Sequence, residues 1–391
     1  MARRTISNRL KRQQAKRQAV FLVLGCLAVV LLVFTVFALT GPPTSPEGPS
    51  LAVDTEVAGE EISATEEAAP AGSVSLGLGG DVTFELEVAY FLQQNGVDYP
   101  WGEIRDLLGS YDHVVVNLEG PLCRGQGEGA RTACLPVRGD VACAAPMAEA
   151  GVDAVCLAND HAMDYGPSGL EEALSVLRGA GLAYCGVGPS LQEAERPLLL
   201  QGPSGGRVAV LSFCDVAPAS SVAGAATPGV AAADPQRMEE AIRAARQEAD
   251  YVGTLLHWGE LWSSEVTDRQ RELARVCAEA GADLVVGNHP HVVQGVEMIS
   301  GTPVFYSLGN LVYHSQNEEG RKGIFLGCTF SHGALTGLVI NPIEINDARP
   351  DLPRTDRAEA FLRELAASSP GVRLEMRREA GTAVLRLETG R

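Results

Sequence analysis

Positive charge is scarce in most of this chain. The 391-residue sequence has 49 Asp and Glu residues against 31 Lys and Arg residues, which gives a net charge of −18. Residues 1–40 contain seven basic residues and no acidic one, which leaves −25 for residues 41–391. A domain this acidic repels nucleic acid and does not attract anionic lipid, so no nucleic-acid partner is expected.

Cysteine pairs with the CxxC spacing are missing as well. None of the nine cysteines forms such a pair, which argues against a zinc site made of thiolates. Most of them stand within or beside apolar runs, where a small buried hydrophobic residue is the simplest interpretation. Cys123 and Cys134 lie in a Gly-rich stretch, and a location outside the cytoplasm would permit a disulfide between them.

Charged residues are absent from residues 19–40, AVFLVLGCLAVVLLVFTVFALT. A helix of about 20 residues spans a bilayer, and the apolar core of a signal peptide is shorter than this segment. No clear small-x-small cleavage site follows before Gly41, so we predict an uncleaved transmembrane helix, with a cleaved signal peptide as the alternative. The basic segment 1–18 precedes it, which places the N-terminus in the cytoplasm and the rest of the chain outside.

Aromatic residues are absent from residues 41–72, which are rich in Pro, Ser, Thr, Glu and Ala. Such a segment cannot bury enough apolar surface to fold, and we predict a disordered stalk. Short apolar runs alternate with amphipathic helical patterns over residues 73–347, which indicates an α/β domain. Residues 348–391 are predicted to add a helix and strand extension.

The boundaries of these elements follow from the apolar pattern. The predicted strands are Val74–Gly79, Val114–Leu118, Ala154–Leu157, Ala183–Gly186, Val208–Phe213, Tyr251–Leu256, Leu284–Val286, Val304–Tyr306, Gly323–Thr329 and Leu335–Ile345. The predicted helices are Gly169–Gly179, Pro235–Glu248, Thr267–Ala280 and Thr355–Ala367.

Six of these strands are followed directly by polar side chains suited to metal binding or proton transfer. The candidate metal ligands are Asp81, Glu119, Asp160, His257, His289 and His291. Ligands of open α/β sheets bind at the carboxyl ends of the strands, so these side chains are expected to converge on one site. Each motif alone has a simpler interpretation, such as a turn or, for Asp164, a helix cap.

The residue types fit divalent cations. Carboxylates suit Mn and Mg, whereas imidazole suits Zn and Fe, so the mixed set admits one or two ions of several metals. Glu119 could bridge two ions about 3.5–4 Å apart. His289 and His291 on an extended segment, stiffened by Pro290, would point to one face. His161, with an ordinary pKa near 6.5, suits a general acid or base.

The order of the motifs resembles the CapA family of poly-γ-glutamate capsule biosynthesis proteins, a branch of the calcineurin-like metallophosphoesterase fold. The resemblance covers about residues 74–345 and rests on GGDV (79–82), VVNLEGPL (115–122), GVDAVCLANDHAMDYGPSGL (151–170), LLHWGEL (255–261), GADLVVGNHPHVVQGVE (281–297) and VFYSLGNLVY (304–313). It implies a layered α/β sandwich, with mixed sheets flanked by helices, after the N-terminal transmembrane helix.

The resemblance also implies roles for particular residues. The six acidic and histidine candidates would be metal-site residues, and His161 would be the catalytic histidine. The candidate substrate-binding residues are Asn117, Asn159, Arg138 and Asn310. Two positions depart from the family pattern: Asp160 stands where the family usually has Asn, and Thr83 replaces a histidine of calcineurin-type enzymes, which predicts one poorly ligated metal position.

The function expected from the resemblance is synthesis or export of an anionic polymer of the bacterial cell surface, such as poly-γ-glutamate. The protein would be anchored in the cell membrane, with its metal site outside and capsule synthase membrane subunits as partners. One alternative keeps the fold and makes the protein a metallophosphoesterase acting on phosphoester substrates outside the cytoplasm. Another is a non-catalytic scaffold for the polymer or the synthase, so the sequence leaves enzymatic activity open.

Overall fold

The strands of this protein form two large sheets whose outer faces are covered by helices. The computed structural model describes residues 70–85, 87–125, 136–379 and 382–387, all within the compact unit Leu51–Arg391. The predicted cytoplasmic segment, the transmembrane helix, all but the end of the stalk, and Cys134 of the predicted disulfide lie outside these residues. Within the described ranges, no helix combines the length and apolarity needed to cross a membrane.

The described chain contains eighteen strands and eight α-helices. The strands are β1 Val74–Val82, β2 His113–Leu118, β3 Ala154–Cys156, β4 Ala183–Cys185, β5 Val187–Gly188, β6 Leu198–Gln201, β7 Arg207–Cys214, β8 Gly229–Val230, β9 Tyr251–His257, β10 Leu284–Asn288, β11 Val296–Ile299, β12 Thr302–Phe305, β13 Asn310–Val312, β14 Lys322–Ser331, β15 Ala334–Asn346, β16 Arg349–Asp351, β17 Leu374–Glu379 and β18 Thr382–Leu387. The helices are α1 Glu87–Asn95, α2 Arg105–Leu108, α3 Ala144–Glu149, α4 Gly166–Gly179, α5 Leu191–Ala194, α6 Pro235–Glu248, α7 Asp268–Ala280 and α8 Thr355–Ala367.

Both large sheets mix parallel and antiparallel strands. The first has the order β17-β18-β15-β14-β1-β2-β3-β4, with β13 paired to β1 and β16 to β15, and its β1–β4 run is parallel. The second has the order β11-β12-β10-β9-β7-β6, with β7, β9, β10 and β12 parallel. A separate pair joins β5 to β8. Parallel neighbours bring the carboxyl ends of several strands to one edge of each sheet.

Successive side chains along the strands pack on opposite faces of each sheet, and this alternation separates the layers of the domain. On β2, Val115 joins the core between the two sheets, whereas Val114 and Val116 pack under the helices that cover the first sheet. On β7, Val210 enters the same central core and Leu211 packs under α6 and α7. Successive side chains of a strand point to opposite faces, so these fully apolar strands are buried on both sides. The result is a four-layer sandwich of helices, two sheets and helices.

The predicted α/β architecture with mixed sheets flanked by helices is confirmed. Apart from the transmembrane helix, which lies outside the described residues, every predicted strand and helix overlaps an observed one. The sharpest agreement is at α7, where the Thr267 hydroxyl and the Gln270 side chain form a capping box at the N-terminus. The predicted C-terminal extension joins the first sheet directly, because β18 pairs with β15.

Candidate metal centre

The six candidate ligands meet at one edge of the sandwich. Asp81 lies near the end of β1, Glu119 directly follows β2, and Asp160 lies in the loop after β3. From the second sheet, His257 ends β9, and the His289–His291 segment directly follows β10. The carboxyl ends of parallel strands from both sheets therefore supply the site, as the sequence predicts.

Two glycines let neighbouring backbone segments approach closely beside the candidate ligands. A Cβ atom on Gly80 would lie 2.1 Å from the carbonyl oxygen of Gly309. One on Gly287 would lie 2.0 Å from the Tyr306 carbonyl oxygen. Only glycine fits at either position, so the strands that carry the candidate ligands can pack against their neighbours without a side chain between them.

Asp160, His257 and His289 form the first cluster of candidate ligands, whose donor atoms all lie within 4.8 Å of one another. The His257 Nε2 atom is 3.0 Å from Asp160 Oδ1 and 3.1 Å from His289 Nδ1. Burial and the neighbouring charge of His257 lower the pKa of His289 to about 3. A neutral imidazole is the form that coordinates a metal.

Asp81, Glu119 and His291 form the second cluster, with donor atoms that meet the same 4.8 Å limit. All three side chains are buried. Burial alone would raise the pKa of Asp81, but the hydrogen bond and charge of His291 lower it. Burial raises the pKa of Glu119 to about 7, since this carboxyl group shares a dry site with other acids.

Glu119 belongs to the second cluster and also approaches the first. Its Oε1 atom is 3.6 Å from His257 Nε2 of the first cluster, and its Oε2 atom is 3.7 Å from His291 Nε2 of the second. Buried Oε1 accepts no hydrogen bond from the described residues. A buried acceptor without a partner costs free energy, and coordination of a cation would satisfy it. Carboxylates and imidazoles in two facing groups thus fit one or two divalent ions.

The backbone around Pro290 corrects one prediction. His289 and His291 do not lie on an extended segment, because their φ angles are 97° and 56°. Both are left-handed conformations, which non-glycine residues adopt at a cost of about 1–3 kcal/mol each. As a result the two rings enter different clusters, with their centroids 6.4 Å apart.

Three buried amides surround the candidate ligands, and two of them contact a ligand directly. Asn117 donates to Asp81 Oδ1 at 2.7 Å, and Asn159 donates to the carbonyl oxygen of Leu118 at 2.8 Å. Asn310 donates to the His291 carbonyl oxygen at 3.1 Å, and its Oδ1 lies 2.9 Å from His291 Nδ1. Asn117 and Asn310 thereby fix the orientation of Asp81 and His291, as the outer partners of metal ligands commonly do. The placement does not support the predicted substrate-binding role of the three amides.

Asp164 is a site residue that was not among the predicted ones, since the sequence suggested only a helix cap as its simpler interpretation. Its Oδ2 atom lies 2.7 Å from His161 Nδ1 and accepts a hydrogen bond from the Val137 backbone N–H at 2.7 Å. Burial alone would lower the pKa of His161, but this bond and nearby carboxylates raise it to about 9. The sequence signal for this pair was the His-x-x-Asp spacing in a loop after a strand, because that spacing lets the Asp164 carboxylate reach the His161 ring.

The centre opens into a cleft of about 460 Å³. The described residues that line it are Thr83, Glu85, Glu87, Val88, Glu119, Val137, Asp160, His161, Val216, Pro218, Leu261, Trp262, His289, His291, Tyr313 and His314. Arg138 does not belong to this set: its guanidinium donates to the Cys123 carbonyl oxygen and lies 5.9 Å from the Tyr165 ring centroid. Its predicted contact with a substrate is therefore not supported by its placement.

Thr83 does occupy the wall of the cleft, with its side chain mostly buried. The sequence predicts that its replacement of a histidine leaves one metal position poorly ligated. Each cluster nevertheless contains three candidate ligands without a contribution from Thr83. The geometry of both clusters is thus compatible with ion binding despite this departure.

Known proteins resemble this chain over the same region. A family model described as bacterial capsule synthesis protein PGA_cap matches residues 75–315. The PGA biosynthesis protein CapA of Bacillus subtilis (strain 168) is 30% identical over 292 residues, which are 74% of this chain and 77% of that protein. The capsule biosynthesis protein CapA of Bacillus anthracis is 29% identical over 279 residues, 69% of this chain and 67% of that protein.

Among solved structures, the NAD nucleotidase of Haemophilus influenzae matches with a TM-score of 0.44 and 15% identity, over 76% of this chain and 64% of that one. A similarity at this level supports no conclusion about a shared activity. The family match and the two CapA relatives confirm the resemblance predicted from the ordered motifs. The chain belongs to the bacterial capsule synthesis protein family PGA_cap, whose relatives here are proteins of capsule and PGA biosynthesis.

Proposed function

We propose that this chain is a metal-dependent hydrolase of capsule polyglutamate synthesis, which cleaves a phosphoester or polymer-linked bond outside the cytoplasm. The observation that carries the proposal is the pair of three-ligand clusters joined by Glu119 at the base of an open cleft. Two divalent ions in such an arrangement would polarise the scissile group and lower the pKa of a bound water. Asp81 and His291 would hold one ion, and Asp160, His257 and His289 the other.

His161 supplies the proton transfer in this proposal. Its Nδ1 atom is engaged by Asp164, so Nε2 is the nitrogen left to exchange a proton with a group in the cleft. Asp164 fixes the ring orientation and stabilises the charged ring, because its buried carboxylate lies 2.7 Å away. The pair fits a general acid that protonates the leaving group, and general acid catalysis contributes roughly 10²–10⁴-fold to a rate.

The cellular setting of the proposal follows from the N-terminal sequence and from the relatives. Residues 19–40 would anchor the chain in the cell membrane, with the cleft outside. The relatives named for PGA and capsule biosynthesis support a capsule polyglutamate as the polymer. Membrane subunits of its synthase are the partners that we propose.

The test is turnover by the full-length chain loaded with Mn²⁺, on bis(p-nitrophenyl) phosphate and on poly-γ-glutamate. His161→Ala should lower turnover roughly 10²-fold or more with its metal content unchanged. His113→Ala is the matched control, because His113 lies at the start of β2 and contacts the Gln201 carbonyl oxygen instead of the site. Equal turnover in the His161 and His113 variants would remove His161 from the mechanism.

The same experiment separates the two alternatives. Turnover of the small phosphodiester without any change in the polymer would favour a general metallophosphoesterase. No turnover of either substrate, together with a lower melting temperature after chelation, would favour a non-catalytic scaffold with a structural metal. The two three-ligand clusters beside the hydrogen-bonded His161–Asp164 pair are the reason to place hydrolysis first.

A further inference from the structure

Two aromatic rings pack against the imidazole of His291, a candidate ligand of the second cluster. The Trp262 ring centroid lies 5.3 Å from that of His291, with 36° between the ring planes. The Tyr313 ring centroid lies 4.8 Å from that of His291, with 32° between the planes, and 6.3 Å from that of Trp262. The three rings thus form one compact group, and we call Trp262 and Tyr313 the aromatic clamp.

His289 of the first cluster has no such support from a tryptophan or a tyrosine ring in the described chain. Its ring contacts those of His257 and His291, at centroid distances of 4.7 and 6.4 Å. Both of these neighbours are themselves candidate ligands. The clamp therefore distinguishes the second cluster from the first, although both clusters take a histidine from the same short segment.

The backbone of His291 explains why its ring needs contacts of this kind. Its φ of 56° is left-handed, and a non-glycine residue keeps such a conformation only where its surroundings over-determine it. Asn310 Oδ1 lies 2.9 Å from His291 Nδ1, but a single hydrogen bond lets the ring tilt about the N···O line. The clamp restricts this tilt, so His291 Nε2 keeps its place 3.7 Å from Glu119 Oε2.

The loop that carries Trp262 is held in place by backbone and side-chain hydrogen bonds. The Trp262 N–H donates to the Pro290 carbonyl oxygen at 2.8 Å. Buried Gln294 donates to the carbonyl oxygens of Ser263 and Glu265 at 2.9 and 3.1 Å. Such bonds pre-organise the loop, so the Trp262 ring already lies beside the second cluster and ion binding need not order it.

We propose that Trp262 and Tyr313 are positioning residues of the metal centre, which hold His291 ready to bind the ion of the second cluster. This inference rests on the proposed function, because it gives the two side chains a part in the metal centre that the hydrolase requires. A ligand that is already oriented loses little freedom when it binds, so the ion is bound more tightly. Both side chains act through His291, which confines their effect to one of the two ions.

Calorimetric titration of the metal-free full-length chain with Mn²⁺ tests the proposal. Trp262→Ala should weaken the binding of one ion roughly 2-fold to 10-fold, the contribution expected of an aromatic pair, and leave the other unchanged. Trp262→Phe should keep part of the affinity, because an aromatic ring remains beside His291. Leu199→Ala is the matched control, since Leu199 is 45% exposed, as Trp262 is, but lies on β6 and does not line the cleft.

Two single-site backgrounds identify the ion that is affected. In His289→Ala only the second cluster keeps its three candidate ligands, and adding Trp262→Ala should weaken Mn²⁺ binding by the same factor. In His291→Ala the clamp has lost the ring that it holds, so adding Trp262→Ala should leave the Mn²⁺ affinity of the first cluster unchanged. An equal loss in both backgrounds would overturn the proposal, as would an unchanged affinity in the His289→Ala background.

Tyr313 gives an independent test of the same ring contact. Tyr313→Leu should weaken Mn²⁺ binding in the His289→Ala background and not in the His291→Ala background, whereas Tyr313→Phe should keep the affinity, because the ring remains. Urea unfolding shows whether each variant is folded. If Trp262→Ala does not fold, the Tyr313→Leu titrations decide the proposal by the same two outcomes.

Failure of the clamp gives a different result from failure of the proposed function. Two bound ions without turnover of bis(p-nitrophenyl) phosphate or poly-γ-glutamate would remove the hydrolase, and the affinities in the two backgrounds would still decide the role of the clamp. Turnover by a parent chain whose Mn²⁺ affinities do not respond to Trp262→Ala would remove the clamp and leave the hydrolase. A parent chain that binds no Mn²⁺ would overturn both.

Discussion

Asp164 is expected to increase the rate of the proposed reaction by positioning His161, although it does not line the cleft itself. Asp164→Ala removes the carboxylate that lies 2.7 Å from His161 Nδ1. Hydrogen bonds that involve a charged group contribute about 1.5–3 kcal/mol. At about 1.4 kcal/mol per factor of ten, loss of this bond lowers kcat roughly 10-fold to 150-fold. KM should stay unchanged, because the substrate does not contact Asp164.

The same substitution has a second, purely structural effect that needs its own control. The Val137 N–H loses its acceptor, which costs about 1–3 kcal/mol of unfolding free energy. Asp153→Ala also removes a carboxylate acceptor from a backbone N–H, because Asp153 Oδ2 accepts from the Val114 N–H. Val114 lies near the start of β2, whereas the candidate ligand Glu119 follows the end of that strand. Both variants should unfold at lower urea concentration, and only Asp164→Ala should lose kcat.

Two further variants sharpen the result. Asp164→Asn keeps an acceptor for His161 and removes only the charge, so its kcat should fall between those of the parent chain and Asp164→Ala. In the double variant with His161→Ala, the loss should not exceed that of His161→Ala alone, because the two side chains act as one unit. The assay is hydrolysis at saturating substrate and Mn²⁺. Parent-like kcat in a folded, metal-loaded Asp164→Ala protein would refute the reasoning.

Three other predictions concern the metal centre and the loop that carries Trp262. Chelation of divalent ions should lower the Tm by about 5 °C per ion. An ion at 100 times its Kd adds about 2.7 kcal/mol to the free energy of unfolding, and the Tm of a large domain shifts by about 2 °C per kcal/mol. An unchanged melting curve would contradict this prediction. Glu119→Gln should weaken ion binding roughly tenfold or more. Glu85 lines the cleft outside both clusters, so Glu85→Gln should leave ion binding unchanged. Equal metal titrations of the two variants would refute the bridging role of Glu119. Gln294→Ala should lower the free energy of unfolding in urea by about 1–2 kcal/mol, because the carbonyl groups of Ser263 and Glu265 lose their donor. It should also increase acrylamide quenching of Trp262. Unaltered quenching would mean that other contacts hold the loop.

The fold was predictable where the signals are local. Val114–Val116 read as a strand because an apolar run of that kind fits a sheet buried on both faces. The apolar pattern predicted a helix over Thr267–Ala280, and the observed α7 has its N-cap at Thr267, where the structure adds a capping box. The pairing of β18 with β15 lay beyond such signals, since it joins residues 45 to 47 positions apart (Ile340 to Leu385, Val339 to Arg386) and depends on tertiary packing.

The site was predictable in composition and only partly in geometry. Strand ends brought the six candidate ligands to one edge because parallel strands share a direction. Their division into two clusters depends on the left-handed backbone at His289 and His291, which a local reading of His-Pro-His does not predict. Trp262 gave no signal in the sequence either, because its exposure follows from a loop held by the distant Gln294.

The number of divalent ions bound per chain tests the central claim most directly. Elemental analysis of the Mn²⁺-loaded full-length protein should give two ions per chain, and both His289→Ala and His291→Ala should give about one, because each histidine belongs to a different cluster. A parent chain that binds no ion, or single variants that both retain two, would contradict the account of a two-cluster metal centre.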